Sequence, residues 1–385
     1  MRAASVSDYR ELARRRLPNI FFEYIDGGSY AEETLRRNVA DLEAIALRQR
    51  VMRDMTKIDM SVETLGQTLK MPVGLAPVGM AGMYASRGEA QAIRAATAAG
   101  VPFCLSTVGV CSIEEVAAAA KKQGGTPPWF QLYMLKDRGY MRELLARAKA
   151  VGCPVLVFTV DLPLPGSRYR DMRSGFTGGT PLQTMMTQAW EGVSHPAWTW
   201  DLFARGRPHT LGTVQDAVKG GRRVTDFLAW ISRNFDRSVT WKDIDWVRES
   251  WDGPIVVKGV LDVEDARAAV KAGAQGLVVS NHGGRQLDGV RSSITALPKV
   301  ADAVGGDLEV YMDGGVRSGL DVLKALALGA KACFVGRPWA WALGAGGQKA
   351  VEKMLDTLRA ELAVAMILTG CTDVRSAGRE LLDRD

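Results

Sequence analysis

The chain has 385 residues, 47% of them hydrophobic and 24% charged, the balance of a folded globular protein rather than a disordered tail, a collagen or a disulfide-stapled miniprotein. Its 49 Lys and Arg against 43 Asp and Glu leave a net charge of +6, but the cations are dispersed among acids and the densest cluster is Arg14–Arg16. No one-faced basic stripe results, so no nucleic-acid partner is expected. Apolar runs stop at about eight residues, far short of a bilayer span, and the charged N-terminal stretch lacks the apolar core of a secretory signal. Cysteines at 104, 111, 153, 333 and 371 have no metal-ligand spacing and read as reduced core residues of a cytosolic protein, so no metal is expected.

Residues 1–70 precede the first apolar run and are expected to form helices that cover the closed end of the fold or lend a residue to its rim. Eight short apolar runs follow at 72–78, 102–107, 129–134, 155–161, 254–260, 276–282, 309–315 and 332–338. Such runs, apolar without alternation, fit strands buried on both faces of a parallel sheet. Helical patterns lie between them. Ser112–Glu115, Thr240–Asp243 and Ser318–Asp321 carry N-terminal capping signals, and Leu320, Leu323 and Leu326 fall on one face of the last. Gly100, Gly152, Gly273 and Gly329 mark helix ends, and Pro102, Pro154 and Pro254 open the next strands. The fold class expected is α/β, a (β/α)8 TIM barrel spanning 1–385 as a single domain, with a doubly wound open sheet as the alternative.

The fourth and fifth runs start at 155 and 254, 99 residues apart, so a long insertion follows strand four at about 163–240. It carries Phe176, Trp190, Trp198, Trp200, Phe203, Phe227 and Trp230, and between 172 and 240 eight Lys or Arg against five Asp or Glu. Aromatic rings beside cations suit a bilayer interface. A lid or subunit contact with inward-packed tryptophans explains the same composition.

The C-terminal strand ends, where such barrels work, read Pro77–Gly79, Ser106, Gln131 and Tyr133, Thr159 and Asp161, Lys258, Ser280–His282, Asp313–Gly315 and Gly336–Arg337. Burying Asp161, Lys258 and His282 around one mouth costs several kcal/mol each unless they are paired, which points to an active site. His195 and His209 lie in the insertion, so His282 is the strand-end proton acceptor, with Asp161 placed to hold one ring nitrogen. Asp313–Arg317 and Gly336–Arg337 form adjacent Gly-Arg ends suited to a phosphate. Lys258 fits a Schiff base, a charge beside an anionic ring, or an ion pair with a neighbouring carboxylate.

SNHGGRQLDG at 280–289, with FQLY at 130–133, TVD at 159–161, VKG at 257–259 and DGGVRSG at 313–319, closely resembles the FMN-dependent α-hydroxy acid dehydrogenases and oxidases over about residues 8–375. FEYIDGG (22–28), LRRNVADL (35–42), APVGMAGMYASRG (76–88), PGSRYRDMRSG (165–175) and GRPHTLG (206–212) are most similar to the bacterial quinone-linked L-lactate dehydrogenases within it. The resemblance implies oxidation of an (S)-2-hydroxy acid to a 2-oxo acid with FMN as cofactor. It implies His282 as base paired with Asp161, Arg168 and Arg285 clamping the substrate carboxylate with help from Tyr24, and Tyr133 bonding the α-hydroxyl. Pro77, Val78, Gly79, Ser106, Gln131, Thr159, Lys258 and Ser280 would meet the flavin ring. Asp313, Gly314, Gly315, Arg317, Gly336 and Arg337 would hold its phosphate end. Val108 stands where glycolate-oxidase relatives carry tryptophan, which opens the pocket. No haem-binding segment precedes the barrel, leaving membrane quinone or oxygen as acceptor. A peripheral, homotetrameric enzyme on the cytoplasmic face of the inner membrane is the expectation, with a peroxide-forming oxidase or a mandelate-type dehydrogenase as alternatives.

Overall fold

A computed structural model describes residues 2–176, 181–206, 210–217, 230 and 233–383. In chain order its elements are α1 (Val6–Arg16), α2 (Asn19–Asp26), α3 (Glu33–Glu43), β1 (Val62–Thr64), β2 (Gln67–Leu69), β3 (Val73–Leu75), α4 (Gly88–Ala99), β4 (Cys104–Ser106), α5 (Ile113–Lys121), β5 (Trp129–Tyr133), α6 (Arg138–Val151) and β6 (Leu156–Thr159). The insertion contributes α7 (Tyr169–Arg173), α8 (Pro181–Ser194) and α9 (Pro196–Arg205). Then follow α10 (Asp243–Ser250), β7 (Ile255–Val260), α11 (Val263–Lys271), β8 (Gly276–Val279), α12 (Ser293–Val304), β9 (Glu309–Asp313), α13 (Gly319–Ala327), β10 (Ala332–Val335) and α14 (Arg337–Thr369).

All eight expected strands form and pair in parallel in the order β3-β10-β9-β8-β7-β6-β5-β4. The ring closes through a parallel bridge between Leu75 and Phe103. This is the (β/α)8 barrel, not the open sheet. Side chains alternate across each strand. Phe130, Leu132, Val257, Leu277, Val310 and Cys333 face the helices, while Cys104, Trp129, Val157, Val256, Val278, Tyr311 and Phe334 fill the barrel. Within that inner layer the rings of Trp129, Tyr311 and Phe334 lie 5.4–6.2 Å apart, Tyr311 edge-on to both others and Trp129 tilted against Phe334.

The helix ends behave as their residues require. Gly100, Gly152, Gly273 and Gly329 all adopt positive φ, the left-handed conformation that stops a helix without strain. Ser112 and Ser318 cap α5 and α13, and Ser318 with Asp321 completes the full reciprocal box. At 240–243 only half of the box forms: the Thr240 backbone and hydroxyl both donate to Asp243, and Lys242 becomes the residue before α10. Leu320 departs from the expected face and remains exposed, while Leu323 and Leu326 are buried, because it lies in the first turn of α13, at the edge of the packed layer.

The closed end also differs from expectation. The antiparallel hairpin β1–β2 covers it, not helices. Leu65 packs under the inner layer, Thr64 bonds the Tyr311 hydroxyl at 2.5 Å, and Gln67 accepts from the Trp129 indole at 3.3 Å. The other expected role of residues 1–70 is met at the open end, where α2 lends Tyr24 to the rim. All five cysteines are buried and free.

Candidate active site

The two-residue period that puts Trp129, Val157, Val256, Val278 and Tyr311 inside the barrel puts the next inward positions at Gln131, Thr159, Lys258, Ser280 and Asp313. The polar floor of the mouth therefore follows from strand register. Above it opens a cavity of about 670 Å³. Of the residues singled out from the sequence, all but Ser106, Gln131, Asp161 and Ser280 line it. Those four stand directly behind the lining: Ser106 bonds Gln131, Ser280 accepts from Lys258, and Asp161 holds His282.

His282 Nδ1 lies 2.9 Å from Asp161 Oδ1. A ring N–H there donates to the carboxylate and leaves Nε2 as the basic nitrogen. Burial outweighs the attraction of Asp161, so the imidazole pKa falls below its usual value and the neutral form prevails at neutral pH. Burial works against the Asp161 charge as well, but His282 and Lys258 outweigh it and hold its pKa below the ordinary aspartate value. His282 has φ +58, a region that costs a side-chain-bearing residue about 1–3 kcal/mol, and the surrounding contacts hold it there. Its backbone N–H donates to Ser280 Oγ at 3.0 Å. Asp161 also depends on a glycine: Gly259 has φ +109, and a Cβ there would meet Asp161 Cγ at 2.5 Å. The strand register shifts at the same point, between Lys258 and Val260.

Lys258 is buried, with Nζ 3.1 Å from Asp313 Oδ2 and 3.0 Å from Ser280 Oγ. Burial opposes its charge, yet Asp313 and Asp161 prevail and raise its pKa above the ordinary lysine value. It is a fixed cation rather than a free amine nucleophile, which disfavours the Schiff-base reading. The ion pair and the charge beside a ring are thus compatible roles.

Across the cavity two guanidiniums share one wall. Arg285 lies 4.8 Å over the Tyr24 ring and donates to the carbonyls of Tyr24 and Gly27. Arg168 lies 5.8 Å from the same ring, and its Nε donates weakly to the Arg285 carbonyl at 3.4 Å. Burial, then repulsion from Arg285, lowers the pKa of Arg168. Two cations turned toward one space suit an anion between them. Tyr133 stands beside them, edge-on to Phe235 at 5.5 Å, and burial raises its phenol pKa so that it stays protonated and can donate.

At the far end Gly314 and Gly315 have φ +93 and +87, and any Cβ on Gly315 would collide with the Asn38 backbone. Gly336 precedes α14, whose N-terminus gives the positive dipole end that binds phosphate. Arg317 stacks 5.0 Å over Trp341, and burial lowers its pKa to about 10. Arg337 lines the same end, but its guanidinium donates to the carbonyls of Asp26, Gly27 and Gly283. That pins α2 to the β8 loop.

Gln131 Nε2, Thr159 Oγ1 and Asp313 Oδ1 are buried without hydrogen-bond partners. Unpaired polar atoms at the floor of a large cavity, a lysine ion pair, and a helix N-terminus beside Arg317 fit a flat polar ring system carrying a phosphate tail. FMN has that shape and donor pattern. Sequence reasoning missed Tyr84, whose hydroxyl donates to the Gly79 carbonyl at 2.8 Å, and Asp171, buried in the cavity wall. Neither sits on a strand end. For Asp171 the available signal was its spacing, three residues after Arg168 on one helical turn.

Residues 13–384 match the FMN-dependent dehydrogenase family, and the chain belongs to it. It is therefore an oxidoreductase with FMN as cofactor. It is 57% identical over 366 residues to an L-lactate dehydrogenase of Haemophilus influenzae (strain PittEE), covering 95% of this chain and 94% of that one. It is 55% identical over 382 residues to an L-lactate dehydrogenase of Xanthomonas campestris pv. campestris (strain B100), covering 99% and 97%. Among solved structures, the monotopic membrane protein (S)-mandelate dehydrogenase is similar with a TM-score of 0.91 at 31% identity, over 100% of both chains.

Proposed function

We propose that the protein oxidises L-lactate, an (S)-2-hydroxy acid, to pyruvate and delivers the electrons to a membrane quinone from the cytoplasmic face of the bacterial inner membrane. The observation that carries the chemistry is His282, backed by Asp161, facing the same cavity as Arg168 and Arg285. The 57% identical relative named L-lactate dehydrogenase supports the choice of hydroxy acid.

Arg168 and Arg285 bind the substrate carboxylate and orient the α-carbon, and Tyr133 bonds the α-oxygen. His282 Nε2 takes the hydroxyl proton, and Asp161 stabilises the imidazolium that forms. Bound FMN supplies the two-electron acceptor for the α-carbon. Gln131, Thr159, Lys258, Ser106, Ser280 and the Pro77–Gly79 backbone would hold its ring. Asp313, Gly314, Gly315, Arg317, Gly336 and Arg337 would hold its ribityl phosphate.

The described part of the insertion supports the membrane reading. Met186, Trp190 and Val193 recur on one exposed face of α8, and Trp200 with Phe203 on one exposed face of α9. The exposed Arg205 ends α9 and suits an anionic lipid surface. Trp198 turns inward instead, donating to the Met83 carbonyl and packing on Phe21. Trp230 packs on Tyr140, and Phe176 on Tyr24. Phe227 and His209 lie outside the described residues. Among those residues no helix is long and apolar enough to cross a membrane. We take the assembly to be a homotetramer, for which Leu320, Val364 and Leu368 offer exposed apolar side chains on the packed pair α13 and α14.

The test is anaerobic mixing of the holoenzyme with L-lactate while flavin absorbance is followed, then oxygen or a soluble quinone to separate portions. Bleaching with fast recovery on quinone alone is expected. Fast recovery in oxygen would make the protein a peroxide-forming oxidase. A second reading, a mandelate-type dehydrogenase, is favoured by Val108 on the cavity wall, and bleaching by (S)-mandelate but not L-lactate would establish it.

A further inference from the structure

Asp171 stands within the PGSRYRDMRSG segment but has no part in the chemistry above. It lies on α7, three residues after Arg168, with its carboxylate buried in the cavity wall. Its Oδ2 lies 3.8 Å from Arg168 Nη1, an ion pair too long for a hydrogen bond, and Oδ1 has no hydrogen-bond partner. Burial opposes its charge, both clamp arginines attract it, and Glu23 on α2 repels it. A fixed carboxylate therefore faces the two guanidiniums that wait for a carboxylate, without occupying their donors.

We propose that Asp171 sets the affinity of the clamp: its negative charge offsets one of the two arginines and loosens their hold on the carboxylates of substrate and product alike. The inference rests on the reading of Arg168 and Arg285 as a carboxylate clamp. Its logic is that the carboxylate is unchanged by the reaction, so binding it more tightly stabilises ground and transition states equally and slows product departure. Asp171 is then an affinity-setting residue rather than a catalytic one. Loss of a residue that merely supports Arg168 would weaken binding. Loss of a competing charge strengthens it, and the two roles differ in sign.

The experiment uses oxidised holoenzyme at about pH 8, far above the ordinary aspartate range, because burial pushes the Asp171 carboxyl up. Pyruvate is titrated in, and the flavin absorbance shift gives its Kd. Asp171→Asn, close in shape and uncharged, is expected to bind pyruvate roughly tenfold more tightly, the effect of one charge a few Å away at intermediate dielectric. KM for L-lactate should fall in the same direction, with the rate of flavin reduction at saturating lactate little changed. Unchanged or weaker pyruvate binding would overturn the proposal. Asp171→Ser serves the same test should the Asn variant not fold. A wild-type enzyme that L-lactate reduces, with an Asn variant no tighter, sinks this inference alone. A wild-type enzyme that binds neither hydroxy acid nor oxo acid sinks the clamp as well.

Discussion

At the barrel mouth most of the ionisable side chains are held by a partner inside the chain: Lys258 meets Asp313, neutral His282 meets the Asp161 carboxylate, and Arg168 has Asp171 within 3.8 Å. On the α8–α9 hairpin, by contrast, large apolar side chains face outward, with Trp190 70% and Trp200 72% exposed. The first arrangement costs desolvation and backbone strain and returns a fixed electrostatic geometry. The second leaves apolar area in water that only a partner surface can cover. Chemistry belongs to the region where most charges are fixed by partners inside the chain and the remaining unpaired groups face a ligand cavity. Association belongs to the region whose conflicts are left open.

That contrast can be broken at either end. The largest effect is expected at the mouth. His282→Ala removes the base and should slow flavin reduction by L-lactate by about 10²- to 10⁴-fold while FMN remains bound, as read by stopped-flow absorbance and flavin content. A near-normal rate would reassign the base. Next comes a change that touches no charge. Gly259→Ala pushes a methyl into Asp161 at a backbone angle hostile to alanine, so it should cost about 1–3 kcal/mol in thermal unfolding and at least tenfold in flavin reduction. Equal activity in this variant would mean that the Asp161 position is not critical.

The hairpin should respond in the opposite pattern. The double variant Trp190→Ser/Trp200→Ser is expected to weaken binding to anionic vesicles roughly tenfold or more, since interfacial affinity scales with buried apolar area. Flavin reduction by L-lactate in solution should be unaffected. Undiminished vesicle binding would move the contact elsewhere. The smallest effect is expected in the outer helical layer, where Arg147 on α6 pulls the pKa of Glu114 on α5 down to about 2. A depressed carboxylate contributes stability above its unfolded value of about 4.5 and loses it as the pH falls toward 2. The Glu114 carboxylate is about half exposed and screened by water, so Glu114→Gln should cost under about 1 kcal/mol at neutral pH in chemical denaturation, and nothing once the carboxylate is protonated.

The eight strands were legible because each is buried on both faces and so reads as an unbroken apolar run. Strand ends were less so: the run at 276–282 continues past β8, which stops at Val279, because after Ser280, whose N–H still bonds the Val260 carbonyl, Asn281 and His282 turn away from the ladder while remaining packed. The hairpin β1–β2 was hidden because its strands have three residues each and carry polar side chains, although Leu65 and Gly66, both at positive φ, form its turn. Register carried the floor residues from sequence to site, since inward positions follow from alternation. Asp171 and Tyr84 could not be found that way. They reach the cavity from a helical turn and from the loop before α4, where no periodicity tells inside from outside. Trp198 and Trp200 show the same limit within the insertion: two residues apart on α9, they point to opposite faces, and only the helix phase separates the packed ring from the exposed one.

The central claim is that a neutral His282, held by Asp161 and depressed in pKa by burial, accepts the proton. The most direct test is the second-order rate constant of anaerobic flavin reduction by L-lactate as a function of pH. A level rate through neutrality is expected, falling only somewhere below the ordinary imidazole value of about 6.5, because burial lowers the His282 pKa. A rate that rises on acidification, or that is already falling well above that value, would contradict it.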